Sequence, residues 1–243
     1  MDAHIHCGVQ NVQQSYESIE PLMRAAGVEA AVMFAPVEDV YDRRDPAFED
    51  DAPWQECRRR ANAYVLDLRR AGLPVFPFFF VWNDFRVDLL DDGYVGVKWH
   101  RHPDEPEYHY ADPRCRDMLD AIVARGLPIC LEETFENTLR MIEELAPDAA
   151  FIIPHLGRLN GGYERLEAAR VWARPNVWTD TSASELPDLR SYVDLHGTDR
   201  LVYGSDYPFR IPSEQVKLVR QLGLSEEEER QVLAGNVLRL LGG

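Results

Sequence analysis

Residues 1–36 read MDAHIHCGVQNVQQSYESIEPLMRAAGVEAAVMFAP, and they hold a strand, a helix and a second strand in that order. An extended chain alternates its side chains, so in the opening six residues His4 and His6 share one face. Ile19, Leu22, Met23 and Ala26 then recur at helical spacing within 15–27 and stop at Gly27, a helix C-terminal signal. Residues 29–36 (EAAVMFAP) read as a buried strand. Two imidazoles on one strand face can serve a single metal ion, or they can be solvated or hydrogen-bonded side chains near a frayed terminus; the residues alone leave both open.

Working outward, the same unit recurs. Residues 37–56 are acidic and irregular, interrupted by Pro46 and Pro53, and lead into a helix near 54–71 that ends at Gly72. Apolar strands are expected at 73–81 and 94–100, but the link WNDFRVDLLDDG has room for no more than a short helix. Beyond the polar loop RHPDEPEYHYADP, helices at 113–125, 135–146, 162–173 and 187–196 alternate with strands at 127–133, 149–157, 176–183 and 200–208. Helices near 213–222 and 225–241 close the chain, the second opened by Ser225 and Glu228 in a capping-box pattern. Eight strands, most followed by a helix, predict an α/β fold: a (β/α)8 TIM barrel in a single domain, 1–243, with a shortened third helix and an extra C-terminal helix. No glycine-rich dinucleotide or phosphate loop follows any strand, which argues against an open nucleotide-binding sheet.

The 243 residues are 45% hydrophobic and 28% charged, the balance of a folded globular chain rather than a disordered one. Twenty-six basic against 42 acidic residues leave a net charge of −16, a field that repels nucleic acid and anionic membrane surfaces. Cys7, Cys57, Cys115 and Cys130 are scattered, which suggests reduced, buried thiols in a cytoplasmic protein. No basic leader with an apolar run opens the sequence, and no apolar stretch reaches membrane-spanning length. The expected partner is a small-molecule substrate, and aromatic loops leave room for a homodimer.

Chemistry in such a barrel sits where strands end. The apolar runs here stop at His4 and His6, Lys98 and His100, Glu132 and Glu133, His155, Asp180, and Asp206. One such residue alone is usually a satisfied core or surface group. Burying so many ionisable groups at one rim is costly unless a cation or a substrate compensates them.

Taken together, His4-x-His6, Gly96-Val97-Lys98-Trp99-His100, Pro154-His155-Leu156-Gly157, Gly204-Ser205-Asp206-Tyr207-Pro208 and the closing Gly235-Asn236-Val237-Leu238-Arg239-Leu240-Leu241 resemble the amidohydrolase superfamily. The chain is most similar to its amidohydrolase-related branch, which includes aminocarboxymuconate-semialdehyde decarboxylase and related hydrolases. The resemblance implies His4, His6 and Asp206 as metal ligands, Asp206 also as proton acceptor, and His155 as the residue that polarises substrate or positions water. On the fifth strand the family usually carries a histidine ligand, where this sequence has Glu132. A carboxylate is a competent ligand for Zn²⁺ and suits Mn²⁺ or another harder transition metal somewhat better, so one divalent ion, zinc first, is expected. Glu133 is the alternative ligand, since a one-residue register change would exchange the two.

Lys98 reads either as a carboxylated lysine bridging two metals or as a cation for a substrate carboxylate, with His100, Arg101, Arg158 and Arg210 nearby. Trp82, Tyr108, His109 and Tyr110 line the mouth or pack the loops. The leading expectation is a metal-dependent hydrolase that attacks a small polar, carboxylate-bearing compound through a metal-activated water. A non-oxidative decarboxylase on the same scaffold is the alternative, and a binding barrel without turnover is the third reading.

Overall fold

A computed structural model describes residues 1–242. Eight parallel strands follow one another round a single sheet in chain order: β1 (Asp2–His6), β2 (Ala31–Phe34), β3 (Val75–Phe80), β4 (Gly96–His100), β5 (Ile129–Glu132), β6 (Phe151–Ile153), β7 (Val177–Asp180) and β8 (Leu201–Val202). The sheet closes on itself just beyond β8. Ala3 N donates to Tyr203 O at 2.8 Å, His6 N to Tyr207 O at 3.0 Å, and Asp206 N to His4 O at 2.9 Å. The result is a (β/α)8 barrel in one domain.

Helices α1 (Tyr16–Ala25), α2 (Ala52–Asp67), α3 (Pro113–Ala124), α4 (Phe135–Arg140), α5 (Tyr163–Ala168), α6 (Leu186–His196) and α7 (Pro212–Arg220) cover the outside. Between β3 and β4 there is only a 3-10 turn, Val87–Leu89, as the short link requires. Two short helices, α8 (Glu226–Arg230) and α9 (Asn236–Leu240), are joined through a π turn, and the capping box at Ser225 is formed on both sides. Asn236 explains the closing motif: its buried side chain donates to Thr198 O at 2.7 Å and Leu201 O at 2.8 Å, pinning α9 beneath β8.

Each strand is buried on both faces, which is why the strands read as apolar runs rather than alternating ones. Outward residues such as Met33, Val97, Leu131, Ile153 and Val177 pack in one cluster with Ile19, Met23, Val65, Ile122 and Leu189 of the helices. Inward, Val32, Phe34, Phe78, Cys130, Ile152, Trp178 and Val202 form a second cluster, plugged from below by Val237 with Leu240 and Leu241. Gly96 is required there, because a Cβ at that position would lie 2.4 Å from the Phe78 ring.

The strands are shorter than the apolar runs that announce them. β6 stops at Ile153, since Pro154 lacks an N–H and His155 takes φ 58°, and β8 keeps two residues. The chain ends beyond these strands leave the ladder to build the rim. α5 ends at Ala168 rather than 173, with Arg170 in the left-handed region at φ 58°. All four cysteines are free; Cys57 is half-buried, unlike the other three. Among the described residues no helix is long and apolar enough to cross a membrane.

Candidate metal centre and its cavity

On one side of the rim β1 presents His4 and His6 inward, and the turn after β8 brings Asp206 to them. Asp206 Oδ1 lies 3.5 Å from His4 Nε2 and 3.4 Å from His6 Nε2. Asp206, like His155, holds φ at 58°, a conformation that costs an ordinary residue of order 1–3 kcal/mol and recurs at functional sites. The rings are seated from below by Phe34, edge-on to His4 at 5.0 Å and to His6 at 4.8 Å. Gly204 gives His4 room, because a Cβ there would meet His4 Cβ at 3.0 Å. His4 Nδ1 is 2.8 Å from Asp180 Oδ2, so that nitrogen donates and Nε2 faces Asp206 as an acceptor. Asp180 is itself held by the His155 and Ser182 backbone N–H groups, at 2.9 and 3.0 Å.

Glu132 stands on the other side, where parallel registry sets His100 beside it and Lys98 beside Cys130. Its Oε1 forms an ion pair with the fully buried Lys98 ammonium and lies 3.9 Å from His4 Nε2. Its Oε2 faces three imidazoles: His102, His100 and His155, with Nε2 atoms at 3.4, 3.5 and 3.6 Å. The His155 ring is aimed by Ser182, whose Oγ is 2.8 Å from Nδ1. Glu133 points away into the outer layer, accepting from Tyr110 Oη at 2.7 Å and pairing with Arg101 at 3.5 Å, so it is Glu132 that faces the rim.

Between these groups lies a cavity of about 240 Å³, lined by His6, His100, Glu132, His155 and Asp206 below and by Arg158 and Arg210 toward solvent. Lys98 and His4 lie beneath its floor, and the Lys98 charge is taken by Glu132 rather than presented to the opening. Arg101 does not reach the cavity either; it is buried, donating to Pro103 O, Glu105 O and Pro106 O. Trp82 stacks on Tyr41 at 3.8 Å and Tyr108 on Trp99 at 4.5 Å, so these aromatics pack the loops instead of lining the mouth. Sequence reasoning passed over Arg43, His102, Val37, Leu159 and Phe209, all of which line the cavity. His102 had a signal, since His100-x-His102 repeats the spacing of His4-x-His6; Arg43 arrives from an irregular loop and had none. Asp180, marked only as a strand end, orients His4.

Charge is compensated within the cluster. Burial opposes ionisation of Glu132, yet Lys98, His100 and His155 hold it well below the usual carboxylate range. Burial likewise opposes the Asp206 charge, and the hydrogen bond with His6 and the nearby His4 and His155 overcome it and hold the carboxyl low. Burial, reinforced by Lys98, keeps His4 below its ordinary value, so it stays a neutral imidazole. At His155 burial pulls the other way but Glu132, Asp180 and Asp206 prevail, raising it to about 9.

The donor set fits a divalent cation. His4, His6 and Asp206 each offer an atom within 4.8 Å of the others, as do His4, Glu132 and His155. Separations of 3.4 and 3.5 Å are close to the edge of about 3.4 Å that ~2.1 Å bonds to a tetrahedral ion require.

The amidohydrolase family model matches residues 1–243. No curated protein matches the sequence. Among solved structures, one described as a 2-pyrone-4,6-dicarboxylic acid hydrolase from Pseudomonas putida superposes with a TM-score of 0.76 at 19% identity, covering 99% of this chain and 96% of that one. A 2,6-dihydroxybenzoate decarboxylase complexed with 2,6-dihydroxybenzoate gives 0.75 at 15% identity, covering 100% and 98%. A dihydroxybenzoic acid decarboxylase from a Polaromonas species, with bound manganese and the inhibitor 2-nitroresorcinol, gives 0.71 at 14% identity, covering 96% and 87%. At such identities these likenesses establish the fold alone.

Proposed function

The chain belongs to the amidohydrolase family, and from that membership we propose a metal-dependent hydrolase acting on a small, carboxylate-bearing compound. The observation that carries this reading is the meeting of His4, His6 and Asp206 across the barrel seam, with Glu132 and His155 facing them over one cavity.

A divalent cation held by His4, His6, Asp206 and Glu132, zinc first and manganese next, supplies Lewis acidity that lowers the pKa of water and polarises a carbonyl. Asp206, kept ionised and open to the cavity, takes the proton that the attacking water loses. His155, fixed through Nδ1 by Ser182, turns Nε2 inward and donates to the oxygen on which charge develops. Arg158 and Arg210 at the opening offer N–H donors to a substrate carboxylate. Val37, Leu159 and Phe209 line the same space and give it an apolar wall. The cavity of about 240 Å³ sits just below the usual range for small-molecule sites, which selects a compact substrate.

The test is a screen of lactones, amides and esters of small carboxylic acids with metal-loaded and chelated protein in ¹⁸O-water. Expected is a chelator-sensitive turnover that places ¹⁸O in the product and disappears in His6→Ala and Asp206→Asn. Turnover that both variants retain would overturn the site. Decarboxylation is the second reading, favoured by the decarboxylases among the structural neighbours; release of carbon dioxide without ¹⁸O incorporation would select it.

A further inference from the structure

The cavity holds a second convergence of metal-capable donors, in which His100 and His102, left unused by the proposed hydrolysis, meet Glu132. His100 ends β4 and His102 follows two residues later, so the His-x-His spacing of β1 recurs across the barrel. Their Nε2 atoms lie 3.5 and 3.4 Å from Glu132 Oε2, again near the tetrahedral edge of about 3.4 Å. Three atoms, one from each residue, fall within 4.8 Å of one another.

The His100 ring is aimed from behind. His100 Nδ1 is 3.2 Å from Tyr41 Oη, which donates to Glu105 Oε2 at 2.7 Å. At His100 the Nδ1–H is held by the Tyr41 oxygen, so the Nε2 lone pair is presented outward, the usual posture of a histidine ligand. His102 Nδ1 accepts from the Arg43 guanidinium at 3.0 Å, which leaves its Nε2–H toward Glu132, so this ring must exchange its tautomer before it can hold a cation. Two histidines and one glutamate with a free side toward a cavity make up a donor set that zinc enzymes use.

The surrounding charges set the strength of this site. Arg43 lies 3.0 Å from His102 Nδ1 and opposes a cation, but its guanidinium is bound to Glu105, with Nε to Oε1 at 2.7 Å. Lys98 neutralises Glu132 from the other side. Around His4 and His6, Lys98 also lies 3.5 Å from His4 Nε2, but two carboxylates, Asp206 and Asp180, face the pair against that one shared ammonium. The His100 side therefore attracts a cation less strongly than the His4 side.

We propose that His100, His102 and Glu132 form a second divalent-cation site, weaker than the one at His4, His6 and Asp206 and open to the cavity. It stands apart from the reaction proposed above, although it shares Glu132 with that centre.

The test is titration of chelator-stripped full-length protein with Zn²⁺, read by calorimetry and by metal content after dialysis. Two equivalents are expected, the second at least tenfold weaker. His100→Gln and His102→Gln should each remove the weaker step and keep the tighter one, whereas His6→Ala should do the reverse. Circular dichroism confirms folding, and His102 is partly exposed on a loop, so its variant does not disturb the core. A wild-type stoichiometry that neither glutamine variant lowers would overturn the second site. Loss of uptake in those variants alone, with His6→Ala unaffected, would support it and sink the first site instead.

Discussion

The two halves of the barrel interior are equally buried and are held together in opposite ways. In the lower half Val32, Phe78, Cys130, Ile152, Trp178 and Val202 interlock, and each contributes through the apolar surface it removes from water, about 25 cal/mol per Å². In the upper half His4, Lys98, Glu132, Asp180 and His155 are at most 3% exposed, yet each ionised group is tolerable only because another compensates it. Loss of a member should be graded below and abrupt above.

The sharpest break comes at Lys98. Lys98→Met leaves Glu132 buried without its cation and is expected to cost about 3–5 kcal/mol, measured by urea unfolding. Adding Glu132→Leu should recover most of that loss, and a double variant no more stable than the single one would mean that the pair is not the source of the cost.

Asp2, where β1 begins, tests the same contrast by pH. Its Oδ1 accepts from the His4 and Ser205 N–H groups at 3.1 and 2.9 Å, but its Oδ2 has no partner. Burial raises the carboxyl to about 6 against these hydrogen bonds. A raised acid favours the folded state while it stays protonated, so this contribution is complete below the unfolded carboxylate range and is lost as pH climbs from about 4 through about 6. Asp2→Asn should therefore match the wild type near pH 4 and exceed it by up to about 3 kcal/mol at pH 7.5. Parallel stability curves across that range would contradict the assignment.

Asp180→Asn should keep the fold but free His4 to turn over its tautomer. Metal affinity is expected to fall 10–100-fold in a competitive chelator titration. The smallest effect belongs to the lower half: Ile152→Val should cost about 0.5–1.5 kcal/mol and leave metal uptake unchanged.

The same contrast explains what the sequence disclosed. Apolar runs of strand length revealed every strand, and the two-residue period put His4 and His6 on one face and separated Glu132 from Glu133. The partner of Lys98 was not legible, because it depends on the registry of β4 against β5, which no local pattern encodes. The left-handed turns at His155 and Asp206 and the route of the loop that delivers Arg43 are equally invisible to periodicity, since tertiary contacts impose them. His102 was readable and overlooked.

The seam has one further bearing. β8 has two residues in the ladder, and the join to β1 runs through the amide of Asp206 and the carbonyl of His4. Any ion that gripped these two side chains would act as a buckle on the hoop, fastening the first turn of the chain to the last. Stripping it should let the protein breathe there first, so amide exchange at 4–6 and 203–207 would quicken before the rest of the barrel responded.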